Sequence, residues 1–136
     1  MRTVSHSSVC VSCAEFAKEI SDFSIQEILP LVSEMDKKAE IDIRLVKSLF
    51  RSKIMSIEIP IEYGGLGYSF THTIAAIEEI SKVDPGIAVF VDVHNTLVIG
   101  AINKWGTDLQ KQLYLPKLVE PNAKMPYYYG TKGTSD

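Results

Sequence analysis

The sequence predicts an all-α domain of five or six helices, followed by a short strand-like tail that has no partner strand. Apolar residues recur every three or four positions along most of the chain, which is the period of a helix with one buried face. The stretch that alternates like a strand, residues 54–61, contains Pro60, which a central strand does not tolerate. Hydrophobic residues are 46% and charged residues 23% of the 136 positions, as in a globular domain with a single core.

Two helical regions come first. One runs from Cys13 to Met35, with its apolar residues at helical spacing. Pro30 inside it predicts a kink, or the end of one helix and the start of the next, because proline lacks an N–H donor and clashes with the preceding turn. Residues 41–53 form a second amphipathic helix, whose apolar face carries Ile43, Val46, Leu49 and Phe50.

We predict that residues 54–61 form an extended connector and that a sharp reversal of the chain follows. The connector would be fixed to the core by its alternating isoleucines, Ile57, Ile59 and Ile61. The reversal comes from the glycines of residues 64–67, and we expect Gly64 or Gly65 to adopt a positive φ. These glycines lack the Gly-x-Gly-x-x-Gly spacing and the Gly-Lys-Ser/Thr ending of phosphate-binding loops, so no phosphate site is predicted.

The helices after the reversal have recognisable starts. Ser69 or Thr71 can cap a helix that ends near Val83, with a buried stripe formed by Ile74, Ile77 and Ile80. Thr107 begins the last helix in a capping box with the residue three positions on, and that helix ends near Leu115 because a proline follows. Between them lies a third helix, which begins at a proline and ends at a glycine.

This third helix, residues 85–105, is apolar nearly all round, which predicts that it is central and buried. Polar residues interrupt its apolar run in the second half, so we do not predict that it spans a membrane. The chain as a whole carries 14 basic and 17 acidic residues, a net charge of -3. That balance gives no broad positive surface for phosphates, and we expect no nucleic-acid partner.

Helix 85–105 also carries the polar cluster that is the one candidate for chemistry. Asp92 and Thr96 share a face at i, i+4, whereas His94 points elsewhere. Catalysis needs a nucleophile or a general acid or base beside a group that orients it. We interpret these residues, with Asn95, as buried polar groups that hydrogen-bond to loops of the bundle, and we predict no catalytic residue.

The N-terminal segment, residues 1–14, is predicted to be a flexible leader. It contains Arg2, several serines and no acidic residue, so its composition resembles a remnant of a mitochondrial transit segment. Cys10 and Cys13 form a Cys-x-x-Cys pair, but no second ligand pair stands at zinc spacing and no strand precedes the motif. We therefore interpret them as two incidental thiols and predict no metal site.

Two strings identify a family when they are taken together and in order. The first is Glu62-Tyr63-Gly64-Gly65-Leu66-Gly67, and the second is Gly106-Thr107-Asp108-Leu109-Gln110-Lys111 followed by Tyr114-Leu115-Pro116. At this separation they resemble the N-terminal helical domain of the acyl-CoA dehydrogenases, with the closest likeness to the short/branched-chain members. The resemblance implies an orthogonal helical bundle at residues 15–120, followed at 121–136 by the start of a truncated or divergent middle β-domain.

The resemblance also implies a function. Members of this family use FAD to remove a proton and a hydride from an acyl-CoA thioester, in fatty acid and branched-chain amino acid breakdown. A glutamate near the C-terminal end of the full chain is the base, and electrons leave to electron-transferring flavoprotein. Full-length relatives are homotetramers of the mitochondrial matrix. The helical domain supplies one wall of the acyl pocket, which here corresponds to Phe90, Val93 and Leu97, spaced i, i+3 and i+7 on one helix face. The alternative is that these three are only core residues.

The sequence departs from the family in its last residues. Against the family's first flavin-contacting motif, only Ser135 and Asp136 agree; Gly130 stands at the glutamate position and residues 132–134 replace the Gly-Ala-Gly core. Ser135 is thus the cofactor-binding candidate that the resemblance leaves, and we expect this chain alone to bind no FAD and to be inactive. The alternative function is a non-enzymatic helical interaction module from a truncated or degenerate copy.

Overall fold

The computed structural model describes residues 12–120, which form an all-helical bundle without a strand in that range. Five continuous helical stretches make up the bundle, as the sequence predicts. The first stretch comprises α1 (Cys13–Phe23), a π-helical segment (Ser24–Ile28), a 3-10 turn (Leu29–Leu31) and α2 (Val32–Lys38). The next two stretches are α3 (Ile43–Arg51) and α4 (Phe70–Ser81). The long helix 85–105 then comprises α5 (Pro85–Asp92), the π-segment (Val93–Ile99) and α6 (Gly100–Trp105). The last stretch is α7 (Asp108–Leu118).

Helix α1 begins at Cys13, so the last two residues of the predicted leader are helical. Ser12 caps it in a full capping box, since Ser12 Oγ accepts a hydrogen bond from the Glu15 backbone N–H while the Glu15 carboxylate accepts one from the Ser12 backbone N–H. Cys13 is half-buried, with its Sγ 3.7 Å from the Thr71 carbonyl oxygen. Cys10 and the predicted strand-like tail at 121–136 lie outside the described residues, so both predictions stay predictions.

Pro30 alters the first helical stretch without ending it. The π-helical turn before it and the 3-10 turn around it change the hydrogen-bond spacing, which accommodates the missing donor and the bulk of the ring. Ser24 at the start of the π-segment is buried and its hydroxyl donates to the Ile20 carbonyl at 2.8 Å. The kink that proline predicts is therefore spread over two non-α turns.

The main hydrophobic core lies between α1, α3, α4 and α5. Helix α4 lies between α1 and α5 and packs against both. The buried face of α4 differs from the predicted stripe: Ile80 is fully buried, Ile77 is half-buried, and Ile74 is exposed. Thr73 and Ala76 take the interior positions instead, because small side chains let α4 approach its two neighbours closely.

Contrary to the prediction, the connector 54–61 is not extended. It contains the 3-10 turn Ile54–Ser56 and leads into a second 3-10 turn, Ile61–Tyr63. The reason is that the chain folds back on itself at once. Backbone N–H groups of residues 66–68 donate to the carbonyls of Ser56, Ile59 and Ile57 at 3.0, 2.8 and 2.9 Å. Ile57 and Ile59 are fully buried as predicted, but Ile61 lies beyond this paired stretch and is exposed.

The glycine-rich reversal has the conformation that the sequence predicts. Gly64 has φ +92° and Gly67 has φ +64°. Gly65 serves another purpose, since a Cβ on it would lie 2.1 Å from the Ile59 carbonyl oxygen. The first of these glycines supplies the turn and Gly65 allows the two backbone segments to touch.

Helix α7 begins as predicted but extends further. Thr107 and Gln110 form the predicted capping box. The helix continues through Pro116 to Leu118, which corrects the predicted end near Leu115. Because Pro116 has no N–H group, only one backbone carbonyl, one turn earlier in the helix, lacks its hydrogen-bond donor. The end of the helix is also stabilised by a second small core, which consists of Ile59, Ile99 and Leu115.

Candidate functional site

The long helix 85–105 positions the residues to which function was assigned. It starts at Asp84, whose Oδ1 accepts from the backbone N–H groups of Gly86 and Ile87 at 2.7 and 3.0 Å, with Pro85 in the first helical position. It ends at Gly106, where a Cβ would lie 2.5 Å from the Ile102 carbonyl oxygen. Between these ends the backbone is continuous, but its middle third is π-helical.

Asn95 in the π-segment fixes this helix to the connector. Its side-chain amide donates to the carbonyls of Ile54 at 2.9 Å and Val91 at 3.1 Å, and its Oδ1 accepts from the backbone N–H of Ile57 at 3.2 Å. All of this is buried. Asn95 thereby satisfies backbone groups that neither the helix nor the connector could satisfy alone, which confirms its structural interpretation.

His94 is also fully buried, and it lies against α3, the connector and α7. Its ring meets Phe50 of α3 edge to face, with 5.6 Å between the centroids. Burial lowers the pKa of His94 to about 4, against the opposing effect of hydrogen bonds with the backbone at Leu118 and Met55. The imidazole is therefore neutral at physiological pH and part of the packing.

Asp92 and Thr96 share a face, as predicted. Thr96 Oγ1 lies 2.8 Å from the Asp92 carbonyl oxygen and 2.9 Å from its Oδ1. This pair is half-buried and ties one helical turn to the next. It has the geometry of a side chain bonding back to its own helix, not of a base beside a nucleophile.

The three residues predicted to contact substrate do not share one surface. Phe90 is half-buried and packs against the main core, Val93 is half-buried, and Leu97 is 63% exposed. The exposed line on this helix is instead Val89, Val93 and Leu97, in which Val89 replaces Phe90 and is itself 60% exposed. Sequence periodicity did not indicate Val89 as a member of this line.

The π-helical segment explains this line. Four residues advance slightly more than one turn of an α-helix and slightly less than one turn of a π-helix. The step from Val89 to Val93 is largely α-helical and the step from Val93 to Leu97 is π-helical, so the two deviations oppose each other. The sequence signal that could have found Val89 is the four-residue repeat of Val89, Val93, Leu97 and Ala101 on a helix with a buried asparagine.

Leu97 opens onto a shallow groove of about 670 Å³. The groove is lined by apolar and by polar residues, namely Phe70, Leu97, Gly100, Ala101 and Trp105 with Glu58, Thr96, Asn103 and Lys104. Glu58 is held in place, because its carboxylate accepts from Thr73 Oγ1 at 2.7 Å and its carbonyl accepts from Asn103 Nδ2 at 3.1 Å. Phe90 faces a different groove of about 850 Å³ beside α2, and Val93 lines neither.

Neither groove fits the diphosphate of FAD, which requires several converging donors. The first contains the Glu58 carboxylate and one lysine, and the second contains one lysine, Lys38, among the carboxylates of Asp36, Glu40 and Asp84. Across residues 12–120, moreover, no three His, Cys, Asp or Glu side chains come together to hold a metal ion. Ser135, the cofactor-binding candidate, lies outside the described residues.

Helix 85–105 is also, within the part of the chain that the structure describes, the one helix long and apolar enough to cross a bilayer by length and composition. The core helices of globular proteins pass the same test. In the bundle its buried residues pack against α4, the connector and α7. That it does not span a membrane stays a prediction.

The arrangement matches known proteins over most of its length. Residues 12–121 match the family model of the acyl-CoA dehydrogenase N-terminal domain. The short/branched chain specific acyl-CoA dehydrogenase of Bos taurus is 39% identical over 104 residues, which are 76% of this chain and 24% of the relative. The probable short/branched chain enzyme of Dictyostelium discoideum is 43% identical over 99 residues, 73% of this chain and 24% of the relative.

A solved structure agrees with the sequence relatives. Butyryl-CoA dehydrogenase from Megasphaera elsdenii superimposes with a TM-score of 0.73 and 29% identity, over 85% of this chain and 31% of its own. The chain spans about a quarter of the length of the two sequence relatives. The strings that carried the resemblance, the helical bundle and these matches agree, and the chain belongs to the acyl-CoA dehydrogenase family, of which it contains the N-terminal domain.

Proposed function

We propose that this domain forms one wall of the acyl pocket in an FAD-dependent dehydrogenase of short or branched-chain acyl-CoA thioesters. The observation that supports the proposal is the line of Val89, Val93 and Leu97. Its two end residues, Val89 and Leu97, are more than half exposed. The buried side of the same helix is hydrogen-bonded to the connector through Asn95. Exposed apolar side chains on a rigid element suit a pocket wall, because they contact an acyl chain without having to be ordered first.

The described residues bring binding and positioning to such an enzyme, and no reactive group. His94 is neutral and packed, and Asp92 is tied to Thr96. The flavin, when bound, accepts the hydride, and we assign its contacts and the catalytic base to parts of a longer protein. We also propose that the longer enzyme passes its electrons to electron-transferring flavoprotein. It would be a homotetramer and would lie in the mitochondrial matrix. Support for the location is that the bovine relative is named as mitochondrial.

The 136-residue chain by itself should bind no FAD and reduce no dye acceptor with any acyl-CoA. The reason is that the family's first flavin-contacting motif is matched only at Ser135 and Asp136, and that the two grooves described above offer no converging donors to a diphosphate. The test is an absorbance scan of the purified chain, followed by an assay with a dye acceptor. A yellow preparation with stoichiometric flavin would contradict this part of the proposal.

The pocket wall is tested in a chimera. Residues 12–121 of this chain replace the matching segment of the bovine short/branched chain enzyme, and Val93→Phe is compared with the parent chimera. The larger side chain should fill pocket volume and lower kcat/KM more for longer acyl chains than for shorter ones. One methylene is worth roughly 1 kcal/mol or more in an apolar pocket, about a tenfold change across a small length series.

Phe90→Leu is the matched control for this experiment, since Phe90 packs against the main core and is not part of the exposed line. It should lower stability and leave the order of acyl preferences unchanged. Equal loss for every acyl length in Val93→Phe would show that Val93 is an ordinary core residue and would remove the wall.

The second candidate function is a non-enzymatic helical interaction module. The observation that favours it is that Val89, Leu97, Phe70 and Trp105 are all more than half exposed in the chain as described. Contiguous exposed apolar patches are typical of protein interfaces. The flavin scan separates the two candidates only in part, since an inactive chain fits both, whereas the acyl-length profile of the chimera tests the enzymatic one directly.

A further inference from the structure

The line of Val89, Val93 and Leu97 depends on where the π-segment lies within helix 85–105. Four residues of an α-helix overshoot one turn by about 40°, so two such steps in succession would carry Leu97 about 80° round the helix from Val89. The step from Val93 to Leu97 is π-helical and falls short of one turn, which brings Leu97 back towards the line. The three side chains therefore share one side of the helix only while the π-segment lies at Val93–Ile99.

Two side chains hold the turn at which the α-helix passes into the π-segment. Asn95 Nδ2 donates a hydrogen bond to the Val91 carbonyl at 3.1 Å. Thr96 Oγ1 donates one to the Asp92 carbonyl at 2.8 Å. The change from i−4 to i−5 bonding alters which backbone N–H faces each carbonyl, and side-chain donors in this turn stabilise the departure from α-helical spacing.

Asn95 also fixes the π-segment from outside the helix. The same Nδ2 donates to the Ile54 carbonyl at 2.9 Å, and the Asn95 Oδ1 accepts from the Ile57 N–H at 3.2 Å. A shift of the π-segment by one residue would rotate the Asn95 amide away from both groups and leave them buried without these bonds. The connector thus opposes any movement of the π-segment along the helix.

We propose that Asn95 is a positioning residue of the acyl pocket, which keeps Val89, Val93 and Leu97 in line by holding the π-segment in place. This inference rests on the pocket wall proposed above and adds a determinant of acyl preference that does not touch the acyl chain. Asn95 is fully buried within the domain, so its effect passes through Val93 and Leu97. Without its amide the step between those two residues is free to become α-helical, Leu97 turns out of the line, and the pocket gains room for longer acyl chains.

The test compares Asn95→Ala with the parent in the chimera of residues 12–121 and the bovine short/branched chain enzyme. The measured quantity is the ratio of kcat/KM for a longer and a shorter straight-chain acyl-CoA on one preparation. A loss of folded protein lowers both values by the same factor, so the ratio reports the shape of the pocket and not the stability of the domain. We expect the ratio to rise by about tenfold in favour of the longer chain, the value of about one methylene in an apolar pocket.

Leu49→Ala is the matched control. Leu49 is fully buried in the main core on α3, and its truncation should destabilise the domain about as much as loss of the Asn95 amide while leaving the bonds of the π-segment intact. It should not change the ratio. Thr96→Val removes the donor to the Asp92 carbonyl and nearly keeps the shape of the side chain, so it provides a second test if Asn95→Ala does not fold. It should shift the ratio in the same direction by a smaller factor.

Two results would overturn the proposal and leave the pocket wall in place. One is an unchanged ratio in Asn95→Ala, or in Thr96→Val if only that variant folds, while Val93→Phe shifts the ratio in the same chimera. The other is an equal shift in Leu49→Ala, which would mean that any loss of stability moves the wall. An unchanged ratio in Val93→Phe as well would contradict the wall itself, and this inference with it.

Discussion

The two sides of helix 85–105 are built in opposite ways. On the inner side His94 and Asn95 are fully buried although they are polar. On the outer side Val89 and Leu97 are 60% and 63% exposed although they are apolar. A helix that only stabilised the bundle would place these residues the other way round.

The difference shows which contacts each side serves. On the inner side Asn95 hydrogen-bonds to the connector and the His94 ring packs against Phe50 of α3, and both contacts fix the position and rotation of the helix. The outer apolar groups have no such partners among the described residues and form a surface for something else. Substitutions on the inner side should therefore change folding stability, and those on the outer side should change association or acyl preference directly.

The largest effect is expected for Asn95→Ala. The change leaves the Ile57 N–H and the Ile54 carbonyl buried and without their hydrogen bonds, which should lower the free energy of unfolding by about 3 kcal/mol. Asn103→Ala is the matched control, since its half-buried amide makes one such bond, to the Glu58 carbonyl, and should cost about 1 kcal/mol. Urea unfolding measures both, and equal losses would show that Asn95 does not fix the helix.

The next effect depends on pH and comes from His94. Its folded-state pKa is about 4, below the unfolded value of 6.5, so the unfolded chain binds a proton first as the pH falls. The contribution of the neutral His94 to folding stability is complete above the unfolded-state pKa. It is lost as the pH falls from that value towards the folded-state pKa. Between about pH 7.5 and about pH 5 this loss should be about 2 kcal/mol.

The comparison that isolates this effect is with His94→Met. The variant should be less sensitive to acid over the same range, because the titrating group is gone, even if it is less stable at neutral pH. Urea unfolding at several pH values gives both curves. Parallel curves for the parent and the variant would mean that burial does not lower the pKa of His94.

A smaller effect is expected in the reversal that carries the connector. Gly64 has φ +92°, and Gly64→Val should cost about 1 to 2 kcal/mol through backbone strain, since a Cβ there would make only ordinary van der Waals contact with Val119. Gly100→Ala is the control of opposite sign, because Gly100 is helical and alanine stabilises a helix by about 0.5 to 1 kcal/mol. An unchanged melting temperature for Gly64→Val would show that the turn is not strained.

The sequence predicted features that depend on neighbouring residues. The capping box of Thr107, the helix start at Pro85 and the positive φ of Gly64 follow from local chemistry, and the structure confirms them. It also predicted which family the chain belongs to, because the two strings are specific in combination.

What it could not predict depends on distant contacts or on departures from ideal geometry. Ile74 and Ile61 fit an apolar pattern but are exposed, because α4 is crowded by two neighbours and the connector turns outward after Ile59. Phe90 and Leu97 differ in exposure although an α-helical period places them on one face, because Val93–Ile99 is π-helical. Periodicity identifies a face only when the period is known.

The smallest effect on stability is expected where the functional effect is largest. Leu97→Ala and Val89→Ala remove exposed atoms, so the free energy of unfolding should change by less than about 0.5 kcal/mol. Ile99→Ala, on the buried side of the same π-segment, gives the contrast and should destabilise the fold clearly. If Leu97→Ala proved as costly as Ile99→Ala, the outer line would be covered within the chain itself. The acyl wall proposed for it would then lose its basis, since a wall requires apolar side chains that the bundle itself does not bury.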